Sequence, residues 1–266
     1  MTKSLLSSLL ALAVLAACGK AAPAHPVSAP GKPGVHAGES WELVTLQRSD
    51  PVNVVTNVLK ESYKMCVAAA EIRHLPVQPF PPVPDDFEDE RVTRITNGVS
   101  TVLVEERNGG GTTGPDIEDK GDCKVVLDTR RSKTVTISHA GKSTRIVDGA
   151  VLDVSDIPPW PPTAPRGQST ADYSVARTVN GVQLRCLPDN FWLLKTNTHL
   201  DAREMCVYHI DNVMIDESGD PVLARVHGLV DVAGPALKHM TKMEPVSMRR
   251  IGPSEKDPYQ VANWLK

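Results

Sequence analysis

Hydrophobic and polar residues alternate with a period of two along most of the chain beyond residue 90. Apolar residues at every second position predict strands with one buried face, and turn residues separate these runs at short intervals. Asn97-Gly98 and Asn180-Gly181 each stand between two such runs, as expected for two-residue β-hairpin turns. The pattern therefore predicts a mainly β fold of antiparallel sheets, arranged as a sandwich or a meander.

The candidate strands share short length and β-branched composition. They cover residues 91–96, 99–105, 123–128, 134–139, 144–147, 173–179, 182–187, 191–196, 205–210, 221–230 and 243–249.

Helical periodicity is confined to two places. Val52, Val55, Leu59 and Tyr63 fall on one helical face after Asp50-Pro51, a good cap and first-turn pair, which predicts a helix over 51–63. The following stretch to His74 fits either a continued helix or a strand. A short C-terminal helix is expected over 258–265, where it would dock Tyr259 and Trp264.

Proline-rich stretches divide the chain, which has 22 prolines in 266 residues. Residues 18–39 are mainly Pro, Ala and Gly with no large apolar residue to bury, which predicts an extended tether. Residues 157–170 contain a second proline cluster and form the best domain boundary. We expect a first β module at 40–156 and a second at 171–266.

The first 17 residues have the pattern of a secretion signal. One lysine precedes an apolar run from Leu5 to Ala17, which at 13 residues is shorter than the roughly 20 that a spanning helix needs. Leu15-Ala16-Ala17-Cys18 resembles the lipobox of bacterial lipoproteins, and the resemblance covers residues 1–18 only. It implies that Cys18 becomes the first mature residue and carries a diacylglyceryl thioether and an acylated amine, hence a stable membrane anchor.

The residue that follows the lipobox cysteine indicates whether a lipoprotein stays in the inner membrane or reaches the outer membrane. In many Gram-negative bacteria an Asp at that position retains a lipoprotein in the inner membrane. Here Gly19 follows Cys18. The resemblance therefore implies a lipid-anchored protein of the outer membrane.

Four further cysteines remain in the exported part of the chain: Cys66, Cys123, Cys186 and Cys206. An even number in an exported chain predicts two disulfides, with free buried thiols as the alternative. Four cysteines allow three pairings. We prefer Cys66–Cys123 and Cys186–Cys206, because each pair stays on one side of the proline-rich boundary and closes the shorter loops.

The net charge and the absence of two catalytic motifs argue against several classes of function. A formal net charge of −3 gives no basic surplus for nucleic-acid binding, which depends on phosphate neutralisation. The chain contains neither Gly-x-Ser-x-Gly nor His-Glu-x-x-His, so hydrolase and zinc-peptidase motifs are missing. We therefore assign no catalytic residue and no cofactor.

One cluster could ligate a metal: His199, Asp201, His209 and Asp211. Two histidines and two carboxylates around a predicted hairpin suit a hard or borderline ion. The alternative, an ordinary polar loop, is the better interpretation, and we assign no metal. The sequence thus favours a non-catalytic envelope module that binds a protein or cell-wall component. Alternatives are a β cup that carries an apolar ligand and a periplasmic enzyme whose site is not visible in the sequence.

Overall fold

The alternating pattern folds into antiparallel strands and one long helix, α1. The computed structural model describes residues 39–108, 112–113, 123–157, 170–189, 191, 204–210, 212–216, 220–232, 238–252 and 255–266. The first strands and the helix are β1 (Trp41–Asp50), α1 (Val54–Arg73), β2 (Glu90–Thr96), β3 (Thr101–Asn108), β4 (Thr112–Thr113), β5 (Val126–Leu127), β6 (Arg131–His139), β7 (Lys142–Val147) and β8 (Ala150–Asp156). The remaining strands are β9 (Val175–Val179), β10 (Val182–Cys186), β11 (Glu204–Ile210), β12 (Asn212–Val213), β13 (Leu223–Val232) and β14 (Lys238–Arg250).

Eleven strands form one antiparallel sheet in the order β8-β7-β6-β3-β2-β1-β14-β13-β11-β10-β9, with β12 added beside β11. This confirms the predicted mainly β, meander-type fold. The long β1–β14 pairing, from Trp41 opposite Arg250 to Asp50 opposite Met240, joins the two halves of the sheet. Strands on both sides of the proposed linker at 157–170 therefore share one sheet, while the division into two modules stays a prediction.

The two Asn-Gly turns differ in length. Val179 pairs with Val182 across Asn180-Gly181, and both turn residues have positive φ, so the predicted two-residue turn is confirmed. At the other site Thr96 pairs with Thr101, so the loop has four residues and the two-residue prediction was wrong. The Asn97 side chain explains the difference, because its Oδ1 accepts hydrogen bonds from two backbone N–H groups further along the loop.

The predicted helix near residue 51 starts later and extends further. Its first turn is not Asp50-Pro51: α1 begins at Val54, and the Glu88 carboxylate accepts hydrogen bonds from the N–H groups of Val55 and Thr56. A carboxylate at this end also complements the helix dipole. The helix then runs on to Arg73 and does not give way to a strand.

The buried side of α1 packs against its own connecting segment. Cys66 and Ala70 form a small core cluster with Cys123, joined by Tyr63 and Leu75. No described residue of α1 belongs to a core cluster that contains residues of the main sheet. The helix is therefore held by the Cys66–Cys123 disulfide and by the Glu88 cap.

One face of the first half-sheet (β2, β3, β6, β7 and β8) is covered by the C-terminal segment. The buried residues alternate along the strands, and they comprise Ile95, Val102, Val104, Val135, Ile137 and Ile146. Tyr259, Ile251, Val261 and Trp264 pack over them. The predicted docking of Tyr259 and Trp264 is thus confirmed, although the segment forms only a 3-10 turn at Val261–Trp264.

The second half-sheet (β9, β10, β11, β13 and β14) rolls back over the centre. Leu43 of β1 shares a core cluster with Val182 and Leu184 of β10, although four strand spacings, roughly 19 Å in a flat sheet, separate these strands. The Asn180 side-chain amide also donates a hydrogen bond to the Pro245 carbonyl of β14, at 2.8 Å. Bulges in the β1–β14, β11–β13 and β13–β14 pairings supply the bending that this curvature needs.

Candidate functional site

Both predicted disulfides are present in the preferred pairing. Cys66 is bonded to Cys123, 57 residues away, and Cys186 to Cys206, 20 residues away. Cys186 and Cys206 are direct partners in the β10–β11 register, so their strands pair without a strand between them. Cys18 lies outside the described residues, and its lipidation stays a prediction.

The structure places one of the four metal candidates. His209 lies in β11, whereas His199, Asp201 and Asp211 lie outside the described residues. A different group, Cys186, Glu204 and Cys206, brings its ligand-type atoms within 4.8 Å of one another. The two sulfurs are bonded to each other and are not the thiolates that bind metals, while Glu204 pairs with Arg225 at 3.0 Å and Arg177 at 3.7 Å.

A serine and a histidine form a hydrogen-bonded pair at the end of the first half-sheet. Ser100 Oγ and His139 Nδ1 lie 2.8 Å apart, and the His139 ring stacks on Tyr259. Ser100 is only 4% exposed. Because a catalytic nucleophile must reach its substrate, this pair is better explained as a link between the hairpin loop and the C-terminal segment.

A cavity of about 280 Å³ lies where the rolled sheet bends over β1. Its walls come from five neighbouring strands in the sheet (β2, β1, β14, β13 and β11) and from the segment that leads into β13. Largely apolar side chains form part of the lining, which we call the floor of the cavity: Leu43, Val92, Tyr208, Val222 and Met243.

Register explains why these side chains converge. Leu43 is paired with Arg94, and Thr45 with Val92, across the β1–β2 ladder. Directly opposed residues point to the same face, and so do alternate residues of one strand. All four therefore line one surface. Leu43 is almost fully buried, whereas Arg94 keeps 29% of its side chain exposed at the rim.

Three charged residues stand at the rim: Arg94, Asp216 and Asp220. Arg94 Nη1 lies 3.8 Å from Asp216 Oδ2, which is longer than a charge-assisted hydrogen bond. Asp216 Oδ1 accepts a hydrogen bond from the Asp220 N–H at 3.1 Å, and the Asp216 N–H donates to the Asp220 carbonyl at 2.9 Å. These bonds join the two residues that carry the carboxylates.

The two hydroxyl groups that line the cavity, those of Tyr208 and Thr45, are protonated and donate hydrogen bonds. Tyr208 donates a hydrogen bond to the Val44 carbonyl at 3.3 Å, and burial raises the pKa of Tyr208 well above its ordinary value, an effect that the nearby Arg94 charge opposes. Thr45 donates to the Val92 carbonyl at 3.3 Å. The arrangement suits non-covalent binding of a small molecule with an apolar part and a charged end.

A second exposed feature runs along α1. Val55, Val58, Met65 and Ile72 recur at spacings of three and seven residues, so they form one apolar stripe (the α1 stripe) beside the buried side of the helix. Met65 is 68% and Ile72 82% exposed. Rows of exposed apolar residues mark protein contact surfaces more often than isolated ones do.

Sequence reasoning missed the cavity residues. The pattern shows Arg94 only as a polar position in a strand, and Tyr208, Asp216 and Asp220 lie more than a hundred residues further along the chain. Nothing in their local sequence shows that the sheet brings them together.

Of the helices in the described part of the chain, none is long and apolar enough to span a membrane. Comparison of the chain with protein-family models, curated proteins and solved structures gave no match.

Proposed function

We propose that this protein is a lipid-anchored binding module of the bacterial cell envelope, and that it acts without catalysis. The lipobox resemblance at Leu15–Cys18 supports the anchor, and Gly19 supports an outer-membrane location. The two disulfides agree with an exported chain, since disulfides persist outside the cytoplasm.

The cavity carries the binding part of the proposal. Its floor is apolar, its rim carries three charges, and its hydroxyl groups donate to backbone carbonyls. Such a site combines a surface that holds a ligand with a few polar groups that orient it. Covalent chemistry would need an activated nucleophile, and among the described residues no base is hydrogen-bonded to Thr45 or Tyr208.

A β-cup carrier of an apolar ligand is the second candidate, and the curvature of the sheet favours it. Leu43 and Leu184 show that the sheet wraps around an apolar interior. The cavity of about 280 Å³ is slightly smaller than the roughly 300–1,000 Å³ of typical ligand pockets. The part of a ligand that this cavity encloses is therefore small.

A protein partner in the envelope is supported by the α1 stripe. The disulfide on the adjacent side of the helix holds the stripe outward, so that a partner surface can reach Met65 and Ile72. A photo-crosslinking amino acid at Met65 should capture this partner in intact cells. The same probe at Lys60, on the polar side of α1, should capture little of it; equal capture at both positions would contradict this use of the stripe.

Fractionation tests the anchor. Cys18→Ser should release the protein into the soluble periplasmic fraction, whereas the matched tether variant Ala24→Ser should stay in the membrane pellet. Gly19→Asp should move the protein from outer- to inner-membrane fractions on a density gradient. Retention of Cys18→Ser in the membrane would contradict lipid anchoring, and an unmoved Gly19→Asp would contradict the assigned membrane.

A further inference from the structure

We infer that the α1 stripe is a contact between two copies of this chain, packed against each other as an antiparallel helix pair. The inference rests on the proposed function, because it names the partner of the same stripe and relies on the lipid anchor to bring the copies together. It concerns a protein contact, so it is measured separately from the cavity.

The exposed side of α1 has the seven-residue repeat of helices that pack in pairs. Two series with this spacing form what we call the α1 seam: Val58, Met65 and Ile72 in one, and Val55, Ser62 and Ala69 in the other. The first series is 40%, 68% and 82% exposed. None of the six residues belongs to a core cluster of the described part of the chain. A helix with such a seam gains stability when a second helix covers it.

The α1 seam is complementary to itself when one copy is turned end for end. A two-fold axis through the middle of α1, between residues 63 and 64, brings positions of the two copies that are equally far from it to the same height. The pairs formed in this way are Val55 with Ile72, Val58 with Ala69, and Ser62 with Met65. Each pair sets a smaller side chain against a larger one, as interdigitated packing requires. A parallel pair would instead crowd Met65 against Met65 and leave a gap between the two Ser62 side chains.

The charges beside the seam favour the same orientation. Glu61 flanks the seam and forms an ion pair with Lys64 at 2.7 Å, and both side chains are 69% exposed. In the antiparallel pair, Glu61 of one copy and Lys64 of the other differ in height by only about 3 Å, two residues at 1.5 Å each. Opposite charges are thus close at the centre of the contact. A parallel pair would place Glu61 opposite Glu61, which is unfavourable.

The contact is small for a dimer that forms in free solution. A pair of single helices of 20 residues is about 30 Å long, and standard protein interfaces, at roughly 1,600 Å², involve more than one helix from each partner. Anchoring at Cys18 would confine the copies to one membrane surface and raise their effective concentration. The Cys66–Cys123 disulfide holds the adjacent side of α1 to its own chain, so that the seam faces outward. We therefore expect the pair to form on the membrane.

Crosslinking of the full-length protein in intact cells tests the contact and its direction. In the antiparallel pair, position 55 of one copy lies beside position 72 of the other, whereas the two positions 55 are about 25 Å apart along the axis. Val55→Cys/Ile72→Cys treated with a short bismaleimide should therefore give a covalent dimer, while either single variant and the unsubstituted protein should give none. Lys60→Cys/Val67→Cys is the matched control, because these positions are also equally far from the axis but lie on the opposite side of α1. It should give no dimer.

A substitution at the centre of the seam tests the packing. Met65→Lys, added to the double-cysteine variant, brings two positive charges together near the axis and should abolish the covalent dimer. Val99→Lys is the matched control, because Val99 is 64% exposed, close to the 68% of Met65, and lies in the loop between β2 and β3. It should leave the dimer unchanged. Thermal denaturation of both variants checks that the fold is retained.

Three results would overturn the inference: no dimer from the double-cysteine variant, as much dimer from a single variant as from the double variant, or an undiminished dimer in folded Met65→Lys. Mass spectrometry of the crosslinked product identifies the partner. If a different protein is attached at positions 55 and 72, the second copy is excluded, while the use of the stripe as a protein contact stands. Fractionation of Cys18→Ser reports on the anchor independently of these results.

Discussion

Cys186 and Cys206 are direct cross-strand partners on β10 and β11, with 3.9 Å between their Cα atoms. The Leu187 N–H donates to the Met205 carbonyl at 2.9 Å, which makes the neighbouring 187/205 pair the hydrogen-bonded one. The cysteines therefore occupy a non-hydrogen-bonded position, where the two strands come closest. The bridge is part of the core that faces Leu43 and Tyr208.

The two disulfides should differ in what they stabilise. Cys186→Ser/Cys206→Ser should lower the stability of the whole sheet by about 3 kcal/mol, the loop-closure value for a short loop. Cys66→Ser/Cys123→Ser should chiefly loosen α1, whose buried side packs on that bridge. Thermal denaturation followed by circular dichroism separates the outcomes, since only the second variant should lose helical signal before the sheet unfolds. Loss of helix and sheet together in both variants would contradict this division.

At the edge of the sheet formed by β7 and β8, the burial of an apolar side chain should determine how much stability is lost when that side chain is truncated. Ile146 and Val151 are cross-strand partners, yet Ile146 is fully buried while Val151 is 47% exposed. Ile146→Ala should destabilise the fold by about 2–5 kcal/mol through lost burial and a residual cavity. Val151→Ala should change stability by less than about 0.5 kcal/mol. Urea denaturation of both variants measures the difference, and similar losses would contradict the burial assigned to this edge.

Glu90 should make stability depend on pH. Partial burial, reinforced by the nearby Glu105 charge, raises the pKa of Glu90 above its ordinary value of 4.5. The folded state therefore holds the proton more tightly than the unfolded chain, and this contribution is lost as pH rises through the raised pKa. Glu90→Gln should increase stability at pH 7 but not below about pH 4. Melting temperatures across this range measure the effect, and a gain that is independent of pH would contradict it.

The Tyr208 hydroxyl should stabilise the centre of the sheet. Tyr208→Phe removes a buried O–H that donates to the Val44 carbonyl at 3.3 Å, and we expect a loss of about 1 kcal/mol. Tyr63→Phe is the control, because its hydroxyl also donates to a backbone carbonyl, that of Gln78, but in an exposed position. Chemical denaturation should show a smaller loss for Tyr63→Phe; the reverse order would contradict the burial argument.

Local sequence patterns predicted which structural elements are present better than they predicted where those elements begin and end. The period of two and the Asn180-Gly181 turn were visible in short stretches of sequence, and the structure confirms them. The cysteine pairing was inferred from loop lengths and the position of the proline-rich boundary, and it is confirmed as well. The start of α1 was not visible locally, because its N-terminal N–H groups are capped by Glu88, more than thirty residues further along the chain. The length of the Asn97 loop depended on one side-chain amide.

The cavity could not be predicted because it depends on strand order. Arg94 and Asp216 meet only after β1 pairs with β14 and the second half-sheet rolls over Leu43. Alternation fixes which residues of a strand share a face, but it does not say which strands are neighbours. Lipidation at Cys18 stays a prediction, and so does the interpretation of the residues around His209 as a polar loop without an assigned metal.

The C-terminal segment also constrains when folding can finish. Ile251, Tyr259 and Trp264 cover a sheet face made from strands β2, β3, β6 and β7, and β14 pairs with the first strand. A nascent chain that has only its amino-terminal half available has neither the central partner of β1 nor the cover for Val104 and Ile137. Such a chain must keep these apolar strands exposed until residues 251–264 have been synthesised, so completion of the fold waits for that covering segment.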